Sequence, residues 1–487
     1  MVTDLLLFPS QDISRMTVDT DIDEITTEDR DEARFRTLES RALKGTYYVV
    51  AFYGLALAIR MLSSIVLTRL YAPEMFGLMT LITTVIVGLT LFTHIGLEDS
   101  IIANPRGDEE AFINTAWSIQ VLRGIGVWLV TVLLAWPVAH FYGQSSLILL
   151  LPVVGFGCVI GGFSSPKLLT LSRHLGVGRL SLLELISQIV LFAVSYAWAR
   201  YYPTVWALAV GRIVSELVRT ICSYWLIPAG IKPRFVLERA SVQALIGFGR
   251  WILIGTILTY LANQSDRLIL PKLTSLEVLG VYGIAFSLSD LPRQIIQMFS
   301  SKVGFPFIAK FAHQPRPEFR NVLIKYRMMV LAVGAVLLTG TICLGDVFIL
   351  HVYRKPYHDA AWMIAIFGLG LWHTLLYNTI TPAIFSLQKA HYNAFGYLLY
   401  CIMLFVLLPV GFLQFGLAGA VAAVAVSDLP MYFVNVYASQ RQGLGMLRQD
   451  GYMTLFFLAT LAAGFALRHA FGLGLPFPGL PHINAMR

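Results

Sequence analysis

Charge is scarce in this chain. Asp, Glu, Lys and Arg make up 13% of its 487 residues, hydrophobic residues make up 57%, and mean hydropathy is +0.70. A water-soluble protein needs roughly a quarter charged residues, so a soluble domain is excluded. Cysteine is scarce as well. Cys158, Cys222, Cys343 and Cys401 each sit inside an apolar run without paired spacing, which argues for plain small hydrophobes rather than disulfides or metal ligands. There is no glycine-rich phosphate loop with its Lys and Ser/Thr, and so no ATP hydrolysis; zinc-ligand spacing and a nucleophile–base pattern are missing too. The apolar runs do not alternate with period two, and at about 20 residues each they read as membrane helices rather than barrel strands.

Twelve spans are expected, near 47–68, 77–98, 114–139, 146–165, 181–200, 204–226, 245–266, 277–300, 328–350, 361–385, 393–413 and 416–437. A thirteenth apolar stretch, 452–468, either spans or lies in the interface, and the Gly/Pro-rich end from Gly472 to Pro481 cannot continue a helix. The fold class is therefore all-α and polytopic. Lys and Arg sort by loop. With the N-terminus inside, inner loops hold 21 of them, from Arg34, Arg36, Arg41 and Lys44 to Arg448, and outer loops hold 6: Arg69, Arg200, Arg267, Lys272, Arg354 and Lys355. That bias predicts a cytoplasmic N-terminus. The first 40 residues carry 11 Asp/Glu and 4 Arg, leaving about +15 on the remainder, and read as a solvated, disordered tail without a signal-peptide core. The basic inner loops meet anionic lipid head groups, and nothing calls for nucleic acid.

The chain also repeats itself. Leu67-Thr-Arg-Leu-Tyr-Ala-Pro-Glu-Met-Phe-Gly77-Leu aligns with Leu270-Pro-Lys-Leu-Thr-Ser-Leu-Glu-Val-Leu-Gly280-Val, keeping leucines, basic residue, glutamate and glycine in register. A weaker echo pairs His140-Phe-Tyr142 with His351-Val-Tyr353. A repeat constrains the whole architecture. The expected division is an acidic tail (1–44), a six-helix lobe (45–226), a linker (227–244), a second six-helix lobe (245–440) and an extension (441–487). Six helices per half give both halves one orientation, so the repeats are parallel, a geometry of transporters with a path between two rocking bundles.

Ser265-Asp-Arg-Leu-Ile-Leu-Pro-Lys through Ser287-Leu-Ser-Asp-Leu-Pro292 resembles the start of the second half of bacterial O-antigen and exopolysaccharide flippases. These belong to the multidrug/oligosaccharidyl-lipid/polysaccharide exporter superfamily. The first-half phrase Leu67–Gly77, His94-Ile-Gly-Leu97 and Val303-Gly-Phe-Pro-Phe-Ile-Ala-Lys310 are similar to it too, and the resemblance covers roughly 45–440. It implies movement of a polyprenyl-diphosphate-linked oligosaccharide between leaflets of the bacterial inner membrane, alongside polysaccharide assembly machinery and without a cofactor. The acidic tail, the segment after 440, Asp290 and the arginines inside the spans have no counterpart in it.

Ionisable residues at membrane depth are costly and become functional candidates. Arg60 lies roughly 12 Å from the outer end of its span at 1.5 Å per residue, and Arg123 is similarly deep from the other side. Guanidinium groups bind diphosphate oxygens bidentately, so both can line a cavity for the head group; an internal salt bridge or a backbone carbonyl is the alternative. Arg212, Glu216 and Arg219 share one helical face and can pair among themselves, leaving one arginine for the cavity. All four arginines are candidate substrate-binding residues. Ser-Asp-Leu-Pro occurs at 289–292 and 427–430. The proline breaks the helix, making Asp290 and Asp428 candidates for Na⁺ or H⁺ coupling or, alternatively, caps of the following half-helix; Arg293 can neutralise Asp290. Asp266 and Arg267 read as solvated or capping residues at a span end, and His94 and His373 as hydrogen-bonded core residues.

Three functions compete. A flippase suits a cavity with excess arginine. A cation or drug antiporter of the same superfamily calls for an acidic one. A polysaccharide polymerase or ligase needs a large outer loop, and no expected outer loop here exceeds about ten residues.

Overall fold

A bilayer gives the backbone no hydrogen-bond partners, so a chain this apolar must close its N–H groups within helices. The computed structural model describes residues 52, 54–171, 177–226 and 232–478, and every regular element among them is helical. The acidic tail 1–44 lies outside the described residues, with Arg34, Arg36, Arg41 and Lys44. Seven helical stretches among the described residues are long and apolar enough to cross a membrane.

Helices lie over the expected spans, although some run well past the expected ends: one covers Arg239–Leu273 and another begins at Arg316. They begin with α1 (Gly54–Thr68), α2 (Pro73–Phe92), α3 (Leu97–Ala103), α4 (Glu110–Tyr142), α5 (Leu147–Gly162), α6 (Leu168–Leu171), α7 (Val177–Ala199) and α8 (Val205–Trp225). Next come α9 (Arg239–Leu273), α10 (Leu276–Ser289), α11 (Leu291–Phe299), α12 (Phe305–Lys310), α13 (Arg316–Val352) and α14 (Ala360–Ser386). The described chain closes with α15 (His391–Val426), α16 (Leu429–Arg441) and α17 (Leu447–Ala470). Each Ser-Asp-Leu-Pro phrase breaks a helix, parting α10 from α11 at Asp290 and α15 from α16 at Asp428. A third break falls inside α15, where Gly416 takes φ 59 and ψ −146, a backbone region that essentially only glycine visits. That break separates the two spans expected at 393–413 and 416–437.

The described part of the linker is shorter than expected, because α9 already begins at Arg239. It is strapped to α4. The backbone N–H groups of Arg234, Val236 and Glu238 donate to the side chains of Asn114, Ser118 and Thr115, and Phe235 packs on Trp117. Alternate residues of an extended segment face one way, which is why the donors fall at every second position. Arg106 ties the end of the strap down by bonding Glu238, whose carboxyl is held below its usual value by the Ser241 hydroxyl and then by Arg106.

The repeated phrases meet each other. A Cβ on Gly77 would lie 1.8 Å from the Leu276 carbonyl oxygen, and one on Gly280 would lie 1.9 Å from that of Pro73. Glycine is required at both positions, because backbone stands where a side chain would start. The second echo converges on the same end of the bundle. The Tyr142 hydroxyl donates to the Leu268 carbonyl at 2.9 Å, and Tyr353 bonds Ser64 at 3.3 Å. Leu268 and Ile65 are repeat-equivalent positions, so the two tyrosine contacts are nearly related by two-fold symmetry. Arg354 and Tyr357 add donors to the carbonyls of Arg69 and Tyr71. Residues far apart in sequence thus seal one end, the end predicted to face outward.

The thirteenth apolar segment becomes α17 and packs along α13. Ion pairs fasten it near both ends. Arg327 on α13, fully buried, bonds Asp450 at 2.6 Å and also Thr379, Gln449 and the Leu376 carbonyl. Arg468 on α17 grips both oxygens of Asp346 at 2.7 Å. These charges are paired, and their remaining donors reach carbonyls and neutral side chains, as burial in an apolar setting demands. The segment after α17 does not continue the helix: Gly472 and Gly474 take left-handed φ of 69 and 65.

Two outcomes are expected. In a background with the four native cysteines replaced, Ser64→Cys with Tyr353→Cys should cross-link on mild oxidation, and adding Gly280→Val should lower the yield several-fold by prising the helices apart. Arg468→Ala should cost about 3–5 kcal/mol in detergent unfolding by stranding Asp346. The double variant Asp346→Leu/Arg468→Leu should recover much of that loss.

Candidate functional site

Two polar centres lie inside the helical bundle, and their charge differs in sign. The first gathers around Cys158 on α5. Gly124 on α4 packs where a Cβ would stand 2.5 Å from the Cys158 carbonyl oxygen, and this close approach brings the next residue, Arg123, beside α5. Thr90 on α2 contacts the Cys158 sulfur at 3.7 Å. Arg123, Arg212 and Glu216 are all within electrostatic reach of that thiol. His94, just beyond α2, is in reach of Arg123, and its Nδ1 is buried without a partner among the described residues.

The expected face of α8 forms as the spacing requires. Glu216 pairs with Arg219 at 3.3 Å, and its carboxylate lies over Gly161 of α5. Arg212 makes no ion pair or hydrogen bond among the described residues, and neither does Arg123, which is half-buried on α4. Arg212 is exposed to the space beside α8. Glu216 is thus taken by Arg219, Arg123 and Arg212 are left without a carboxylate of their own, and an oxyanion would answer the excess. Arg60 stands apart. It is exposed on α1, without a bonded partner among the described residues, and the structure does not bring it to Cys158.

The second centre lies among α9, α11, α14 and α15. Asp428 accepts from Thr374 at 2.6 Å and Tyr377 at 3.3 Å, and His373 Nε2 bonds its other oxygen. Asp290 is held on both oxygens by Arg293, at 2.5 and 2.9 Å, with Gln294 at 3.1 Å. Neither aspartate side chain caps the helix that follows it; both make bonds of their own with nearby or distant side chains instead. The capping alternative is therefore set aside. His373 is the hydrogen-bonded core residue expected, though its partner is a buried carboxylate. Tyr377, Tyr397 and Tyr400 surround Arg293 and Asp428, and Tyr400 also lies within reach of Asp266.

Asp266 corrects an expectation. It is not a solvated span-end residue: α9 runs on to Leu273, and Asp266 is only 3% exposed. Tyr282 donates to its Oδ2 at 2.5 Å, and its Oδ1 has no partner among the described residues. Arg327 corrects another expectation: it is not an inner-loop cation but is fully buried on α13, and Asp346, Asp450 and Arg468 carry no expectation from the sequence. A usable signal existed: Arg327 and Asp346 are separated by almost the same stretch as Asp450 and Arg468, the pattern of two parallel helices paired near both ends.

Long apolar helices enclosing segregated charge define an all-helical, multi-pass membrane fold, and a solved structure shares that fold. The chain superposes on the lipid II flippase MurJ in its inward closed conformation with TM-score 0.63 and 12% identity, covering 87% of this chain and 98% of that one. Residues 66–362 match the family described as polysaccharide biosynthesis protein, and the chain belongs to that family. It is 24% identical over 266 residues to the amylovoran biosynthesis protein AmsL of Erwinia amylovora, covering 53% of this chain and 67% of that protein. It is 19% identical over 326 residues to the lipopolysaccharide biosynthesis protein WzxC of Escherichia coli K12, covering 66% and 65%. The matches thus span about two thirds of the length of these relatives.

Proposed function

We propose that the protein is a flippase that carries polyprenyl-diphosphate-linked oligosaccharide across the bacterial inner membrane by alternating access. The observation that carries this reading is that Arg123 and Arg212, neither in an ion pair among the described residues, both lie within electrostatic reach of Cys158 while the one nearby carboxylate, Glu216, is taken by Arg219. An anionic head group satisfies such a site, and a cationic drug does not. Family membership and the named relatives support the same substrate class. The two six-helix lobes are the moving bodies, with residues 227–244 joining them and the N-terminus in the cytoplasm. The diphosphate sits at Arg123 and Arg212, with Arg219 oriented by Glu216, and Arg60 guides it from the exposed face of α1. The polyprenyl tail stays in lipid. The chain acts as a transporter and not an enzyme.

The carboxylate-rich second centre supplies the coupling. Asp428 is the residue on which Na⁺ or H⁺ acts, because its partners are neutral hydroxyls and a titratable imidazole. Asp290 serves by holding Arg293. The acidic character of this centre is also what a cation-coupled antiporter would need, and it keeps that second reading in play.

Reconstituted vesicles loaded with polyprenyl-diphosphate oligosaccharide in one leaflet test both assignments. Arg123→Ala and Arg212→Ala should each slow leaflet exchange about tenfold or more at normal protein abundance. Full exchange in the pair would remove the anion site. Asp428→Asn should leave lipid binding intact and abolish the response of exchange to an imposed Na⁺ or proton gradient; an unchanged gradient response would release Asp428 from coupling.

A further inference from the structure

One helix of the bundle carries amides and hydroxyls that no charge explains. Along α9, Thr256, Thr259, Tyr260, Asn263 and Gln264 fall at the three- and four-residue intervals that make one helical stripe, with Arg267 one turn further on. The stripe opens onto a cavity of about 390 Å³ between α9 and α2, with Leu91 on the facing wall. That volume lies within the roughly 300–1,000 Å³ of small-molecule sites.

Neutral amides in a membrane helix normally bond a neighbouring helix. These do not. Asn263 Nδ2 donates at 2.7 Å to the Thr259 carbonyl of its own helix, and Gln264 Oε1 accepts at 2.9 Å from Arg267. Among the described residues neither carboxamide reaches another element. Arg267 is itself steadied over the Phe286 ring at 5.2 Å, so it fixes the Gln264 amide with its nitrogen free to donate. The cavity lining therefore includes the Asn263 carboxamide oxygen, left to accept, and the Gln264 NH₂, left to donate, on successive residues of α9. Tyr260 is spent elsewhere: its hydroxyl donates to the Thr84 carbonyl and its ring abuts Gly88, which sets the width of the cleft.

Adjacent donor and acceptor groups without a formal charge suit neighbouring sugar hydroxyls, each of which both gives and takes a hydrogen bond. They suit a phosphate poorly. We infer that this face of α9 is the subsite for the sugar residues of the cargo, a neutral carbohydrate, separate from the cationic centre that holds the diphosphate. The two sites adjoin: the carbonyl of Leu91, which lines the cavity, accepts from the His94 N–H at 3.0 Å, and His94 is within electrostatic reach of Arg123. A lipid-linked oligosaccharide would then lie with phosphates by α4 and sugars along α9. This inference rests on the flippase reading above.

The test compares binding of undecaprenyl diphosphate with binding of the same lipid carrying a disaccharide, drawn from a panel ending in glucose, galactose or an N-acetylhexosamine. The variant is Asn263→Leu/Gln264→Met in the full chain, a near-isosteric apolar pair that a membrane helix tolerates, with Ile254→Leu as a control. Wild type should bind at least one glycosylated lipid more tightly than the bare one. The double variant should lose that gain, about tenfold, the size of one or two hydrogen bonds, and keep its affinity for undecaprenyl diphosphate. Arg123→Ala should weaken both lipids. Equal weakening of both lipids by the α9 variant, no change in either, or no preference for sugar anywhere in the wild-type panel would overturn the subsite. Binding of neither lipid by wild type would sink the flippase reading, and the subsite with it.

Discussion

A guanidinium group inside a bilayer must find an oxyanion, a carbonyl or water, because hydrocarbon offers nothing to solvate it. That single constraint sorts the arginines of this protein into two sets. Arg327 and Arg468 are satisfied by carboxylates and neighbouring acceptors and hold α13 to α17, and Arg293 is paired with Asp290 three residues away. Arg123 and Arg212 have no ion pair or hydrogen bond among the described residues. On the proposed reading they take the charged head group in passing, so that one kind of side chain serves permanent and transient contacts, and the difference is whether a partner was built in.

The polar groups divide by half of the sequence as well. Cations are in excess among α2, α4, α5 and α8, and carboxylates among α9, α11, α14 and α15, although each centre also holds an internal pair, Glu216 with Arg219 and Asp290 with Arg293. Between the two centres runs α9, whose stripe is neutral. Its start is tethered by the strapped linker and its far end lies beside the crossing of α2 and α10, so it touches both halves of the sequence along most of its length.

Much of this was legible in the sequence. Hydropathy located the spans, proline located both Ser-Asp-Leu-Pro breaks, and 3.6-residue spacing placed Glu216 against Arg219. The repeat located the crossing at Gly77 and Gly280, although sequence alone could not say that the two copies touch each other. What escaped notice escaped for identifiable reasons. Asp266 was misread because the expected span stopped at 266, whereas α9 continues to Leu273 through Pro271, which in the last turn removes only one backbone bond. The clamps on α17 depend on which helices are neighbours, a matter of packing that local pattern does not encode. The α9 stripe was invisible to a search for charge, because amides and hydroxyls barely alter a hydropathy average.

The pairing of α13 with α17 has a bearing on biogenesis. Arg327 and Asp346 emerge from the ribosome more than a hundred residues ahead of Asp450 and Arg468. Until α17 is made, Arg327 and Asp346 lack the counter-charges that hold them in the folded bundle, so the packing around α13 is completed only when α17 joins it.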